Sequence, residues 1–123
     1  MAMSETPDTG ELFSERAADA LTSYMTVLED LPKVADDPEQ FIVVSNSGRE
    51  YRVDLRAESC TCPDCLHRGH TCKHIYRVRF ATGRVPIPGW VNREAIDPQL
   101  GLHVSADPRI RTTTGIEVFE DGE

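Results

Sequence analysis

The sequence predicts a small α+β domain, on three observations. Apolar residues recur at helical spacing from about Leu12 to Leu31, and side chains alternate from Glu50 to Arg56. All four cysteines and three of the four histidines fall within residues 58–77, ESCTCPDCLHRGHTCKHIYR. The expected order is an N-terminal helix, an antiparallel β-hairpin, a Cys/His-clamped loop, a short helix and an irregular C-terminal tail.

Residues 1–11, MAMSETPDTGE, are polar and acidic and read as a disordered tail. They show neither a basic segment nor an apolar one, so a secretory leader is not expected and a cytoplasmic, reducing compartment is. No apolar run approaches the roughly 18–20 residues of a membrane span; the longest is Phe41–Val44. Residues 12–40 read as an amphipathic helix and a linker. Phe13, Ala17, Ala20, Tyr24, Val27 and Leu31 form the stripe, Pro32 stops it, and KVADDPEQ follows. The stripe is expected to cover the open face of the hairpin, with dimerisation as the alternative, so monomer and dimer both stand.

Residues 41–84 form the centre. FIVVS is a short β-branched strand, and SNSG supplies a turn in which Gly48 can take positive φ. In REYRVDLR, Tyr51, Val53 and Leu55 point one way and Glu50, Arg52, Asp54 and Arg56 the other, as in a half-buried hairpin strand. CKHIYRVRFATG reads as a helix with Gly83 as its C-terminal cap. Residues 85–123 read as a proline-containing extension, partly disordered. Pro86 and Pro88 break regular structure, a short helix fits around Trp90–Ile96, and Trp90 is expected to plug the core.

The cluster has the form Cys60-x-Cys62-x9-Cys72-x-His74. Three thiolates and an imidazole in two close pairs suit one tetrahedral Zn²⁺, which would join the end of a hairpin to the start of a helix. Cys65 leaves alternatives open. Either Cys60, Cys62, Cys72 and His74 bind and Cys65 is spare, or Cys62, Cys65, Cys72 and His74 bind and Cys60 is spare. A Cys62–Cys65 redox pair is the third reading, but no βαβ unit accompanies it. His67 and His70 read as solvated loop residues and His103 as incidental. Three thiolates leave the ion net negative and a poor Lewis acid. No phosphate-binding glycine loop, Ser-His-Asp set or paired carboxylates accompany it, so an enzyme is not expected, nor a small-molecule substrate.

The same residues resemble a known family. CTCPD and CKHI, following Val53-Asp54-Leu55, resemble a SWIM zinc finger over roughly residues 41–82, and the flanks YMTVLED and ATGRVPIPGWV are similar to small acidic SWIM proteins of halophilic archaea. The resemblance implies two strands preceding a helix, one bound zinc ion, and contact with DNA or protein. Such domains occur in transposases, chromatin-associated ATPases, ubiquitin-pathway proteins and recombination factors.

Charge points to the same centre. The chain carries a net charge of -8, yet residues 41–84 hold eight basic and four acidic side chains. Lys33 and Lys73 are the only lysines. Excess acid with scarce lysine fits a protein kept soluble in concentrated salt. Arg52, Arg56, Lys73, Tyr76, Arg77, Arg79 and Arg84 are the candidate nucleic-acid contacts, because guanidinium groups beside aromatic rings grip phosphates and stack on bases. A protein partner, or a recombination or transposition accessory role, on this surface or on the N-terminal helix is the alternative.

Overall fold

The computed structural model describes residues 15–69 and 71–119. The expected tail at 1–11, the first turn of the expected helix, His70 and residues 120–123 lie outside the described residues. Helix α1 (Glu15–Thr22) leads into strand β1 (Met25–Leu28), and β2 (Gln40–Ser45), β3 (Glu50–Asp54) and β4 (Ser59–Cys60) follow. Helix α2 (Pro63–Arg68) and helix α3 (Lys73–Ala81) complete the centre, and β5 (Arg109–Thr112) and β6 (Gly115–Val118) form a separate hairpin. The α+β class with a Cys/His cluster after a hairpin is therefore present. Among the described residues, no helix is long and apolar enough to cross a membrane.

The hairpin is the middle of a four-stranded antiparallel sheet in the order β1-β2-β3-β4. Val43 pairs with Val27 on one side and with Tyr51 on the other, and Val53 pairs with Cys60. Gly48 turns the chain between β2 and β3 at φ 88°. The turn between β3 and β4 puts Glu58 at φ 54°, an uncommon conformation for a residue with a Cβ. Helix α3 lies across the sheet and α1 packs on α3. Met25, Val27, Phe41, Val43 and Val53 meet Ile75, Val78 and Ala81 in one core, which Ala17, Ala20 and Leu21 extend.

The first helix departs from expectation. Its stripe predicts a helix to Leu31, but the helix ends at Thr22 and the chain becomes a strand at Met25. Tertiary partners take its last carbonyls. Ala20 C=O accepts from Arg77 at 3.0 Å, and Leu21 C=O accepts from the Asp97 N–H at 2.8 Å. Once released, Met25 and Val27 bury alternately against β2, so the period that reads as helical over 12–31 is served partly as period two. The part of the stripe that stays helical, Ala17 and Ala20, packs with α1 on α3, while Val27 joins the hairpin as a paired strand.

Three further corrections concern the rest of the chain. The expected loop holds α2, with Pro63 in its first turn and Gly69 closing it in the left-handed conformation. The expected irregular tail holds the β5–β6 hairpin, while the short helix expected around Trp90–Ile96 is present as a 3₁₀ turn at Arg93–Ala95. Backbone bonds from Ile87 N–H to Arg109 C=O (2.7 Å) and Arg111 N–H to Ile87 C=O (2.9 Å) tie that hairpin to the main body. Trp90 does not plug the core, since it is 61% exposed. Gly83 caps α3 as expected, at φ 75°, and its C=O accepts from Arg109 Nε at 2.8 Å.

Candidate metal centre

Each residue of the cluster stands at a different structural boundary. Cys60 ends β4, where pairing with Val53 fixes its backbone. Cys62 is the N-cap of α2 and Cys72 the N-cap of α3. His74 lies in the first turn of α3. The two-residue spacings therefore deliver one pair at a strand end and the other at a helix start.

The ligand atoms of Cys60, Cys62, Cys72 and His74 all lie within 4.8 Å of one another. Nδ1 of His74 faces Cys60 Sγ at 3.8 Å and Cys72 Sγ at 3.7 Å. Tetrahedral zinc with ordinary Zn–S and Zn–N bonds puts sulfur and nitrogen about 3.6 Å apart. The spacing thus fits a single ion of zinc's size. All four residues are buried, and burying three thiols and an imidazole together without an ion would leave them to satisfy one another poorly. The Tyr51 ring packs on the His74 ring, centroids 4.5 Å apart. Nε2 of His74 is buried and has no hydrogen-bond partner among the described residues. With Nδ1 turned to the sulfurs, Nδ1 is the atom that would be given to a bound ion, and Nε2 would then carry the proton.

The thiols divide their proton unequally. The hydrogen bond from the Cys60 thiol, helped by His74 and the Ile75 N–H, holds Cys72 at about 4 against the effect of burial. The same bond, with burial, raises Cys60. Burial chiefly raises Cys62. Cys60 and Cys72 thus share a proton between close sulfurs, and an arriving cation favours release of the thiol protons.

Cys65, the alternative ligand, is not in this group, and neither are His67 and His103, which the sequence reads as solvated or incidental. Cys65 lies on α2, partly buried against the core. His67 on α2 and His103 in a C-terminal turn are exposed.

The structure scatters the expected nucleic-acid contacts. Arg77 is a correction: it is fully buried, and so it is closed to phosphate. Its guanidinium donates to the Ala20, Ser23 and Met25 carbonyls at 3.0, 2.9 and 2.7 Å and to Asp97 Oδ2 at 2.6 Å. Arg56 pairs with Asp37, Arg79 with Glu58 and Arg84 with Glu39. Arg79 also lies over the Tyr76 ring, 5.9 Å from its centroid. Arg52 is exposed and Lys73 half-buried, and neither makes an ion pair among the described residues.

Two elements were not signalled in the sequence. Asp97, which meets Arg77, looks like any acid in a loop. Asp64 receives Arg16 through two bonds of 2.8 and 3.2 Å, which clamp α1 to α2 beside the cluster.

The SWIM zinc finger family model matches residues 51–81, the stretch that runs from β3 through α3. No curated protein and no solved structure matches the chain. The family match and the Cys₃His geometry together support a zinc-binding module of the SWIM type.

Proposed function

We propose that this protein is a non-catalytic interaction module in which one Zn²⁺, held by Cys60, Cys62, Cys72 and His74, fixes the surface presented to a protein partner. The four converging ligand atoms support the metal reading. The metal's role is structural, because four protein donors close the coordination shell and leave no position for water or substrate. Reduced thiols require a reducing compartment such as the cytoplasm.

The choice of a protein partner rests on the arginines. Phosphate would have to displace Asp37, Glu58 and Glu39 from Arg56, Arg79 and Arg84. It would do so on a chain of net charge -8. DNA is the second reading, favoured by Arg52 and Lys73, which make no such pair among the described residues, and by Tyr76 beneath Arg79.

Retention on single- and double-stranded DNA separates the two readings. Binding that survives molar KCl, weakens as salt rises with a slope of about one per phosphate contacted, and drops in Arg52→Ala and Lys73→Ala would establish the DNA reading. No retention, with a protein cross-linked by the zinc-loaded chain and not by the Cys72→Ala chain, would establish the protein reading.

A further inference from the structure

Cys65 is the thiol that the metal reading leaves over, and its position is informative. Cys62 caps α2, and Cys65 lies one turn into the same helix. Residues three apart on a helical turn hold their Cβ atoms about 5–6 Å apart. A disulfide needs Cβ atoms at about 3.5–4.5 Å, so a local shift at Cys62, whose backbone is extended at the N-cap and lies outside the helical turns, closes the gap.

The element that must shift is the one best able to do so. α2 has six residues, whereas Cys60 is fixed in the β3–β4 ladder and Cys72 caps the nine-residue α3 that spans the core. A cleft of about 370 Å³ reaches the cluster and is lined by Cys62, Cys72, His74 and Tyr51, with Pro63 and Glu15 at its exposed rim. The cleft thus borders Cys62, a ligand that is 2% exposed and has a non-ligand thiol one turn away.

We infer that Cys62 and Cys65 form an oxidation site for peroxides, at which disulfide formation withdraws Cys62 from the metal set. This rests on the reading of Cys62 as a zinc ligand. In the first step the Cys62 thiolate attacks the peroxide O–O bond. An S–O bond forms, giving sulfenic acid, and the other oxygen leaves as hydroxide and takes a proton to become water. The Cys65 thiol then attacks the Cys62 sulfur. The S–S bond forms, the S–O bond breaks, and hydroxyl leaves with the thiol proton as a second water. Two thiols are oxidised and one peroxide is reduced. Cys62 then offers no thiolate to the ion, and a dithiol reverses the change.

The experiment uses the full zinc-loaded chain, hydrogen peroxide and a coloured zinc indicator. Digestion before Asp64 and after Arg68 puts Cys65 on a peptide without Cys60, Cys62 or Cys72, so a disulfide to Cys65 joins two peptides, and fragmentation between Cys60 and Cys62 identifies its partner. The expected result is zinc release with a Cys62–Cys65 link and re-uptake of zinc after reduction. Release from Cys65→Ser and Cys65→Ala should be slower by about fivefold or more, with untreated zinc content unchanged.

A link from Cys60 to Cys62 or Cys72, or equal release rates in wild type and both variants, overturns the inference and leaves the metal reading standing. An untreated wild-type chain that binds no zinc overturns both. The mapping on the wild-type chain decides the matter even if a variant folds poorly.

Discussion

Helix α3 is held in two ways, one at each side of a single turn. At its start, Cys72 and His74 join Cys60 and Cys62 in a buried set of four donors. Three residues on, Arg77 sends a buried guanidinium into three carbonyls and Asp97. The first anchor ties the helix to the sheet end and α2. The second ties it to the C-terminal end of α1, the start of β1 and the segment after the 3₁₀ turn. The metal set gains its energy from an external ion, so its strength depends on conditions. The ion pair carries its own countercharge and draws no energy from the metal supply, and it is costly only when half of it is removed.

Stripping the ion tests the first anchor and should have the largest effect. Structural zinc contributes on the order of 10 kcal/mol, which is comparable with a small domain's whole stability of about 5–15 kcal/mol. Chelation, or Cys72→Ala, should abolish the cooperative melt and collapse the circular dichroism of residues 51–81. A chelated chain that melts like the loaded one would break the comparison, because the ion pair would then suffice alone.

Arg77→Met comes next. Leaving Asp97 buried without its cation should cost about 3–5 kcal/mol, read as a lower denaturant midpoint with zinc stoichiometry retained. Adding Asp97→Leu should recover part of that loss. Failure of Arg77→Met to bind zinc would show the two anchors to be one.

The smallest effect belongs to the surface. Arg84→Ala removes a pair with Glu39 in which both partners remain partly solvated, and it should change stability by less than about 1 kcal/mol. A loss as large as that of Arg77→Met would mean that the distinction between buried and exposed pairs fails here.

The two anchors also differ in how legible they are. Cysteine and histidine are rare, metal spacing is local, and the ligand pairs lie two residues apart, so Cys60, Cys62, Cys72 and His74 stand out. The alternation of Tyr51, Val53 and Leu55 shows the hairpin strand for the same local reason. Arg77 and Asp97 do not stand out, because arginine and aspartate are common and their pairing exists only after folding. The end of α1 was hidden with them, since what stops the helix at Thr22 comes from residues far along the chain.

α2 is a different case: Pro63 and Gly69 bracket it with ordinary helix signals, but Cys65 between them and the cysteines on either side read more strongly as a metal-clamped loop. The β5–β6 hairpin buries Ile110 but leaves Ile116 and Val118 exposed, so it gives little readable alternation. Whether a given arginine faces water or carboxylate depends on residues remote in sequence, such as Asp37 and Glu39.

The reach of Arg77 decides how much of this chain is portable. Residues 41–84 carry every donor atom and would tempt anyone wishing to graft the finger onto another scaffold. Cut there, the graft would present a stranded cation in an open apolar wall, with its counterion and its three oxygen partners left behind. A transplantable unit starts no later than α1 and runs past Asp97.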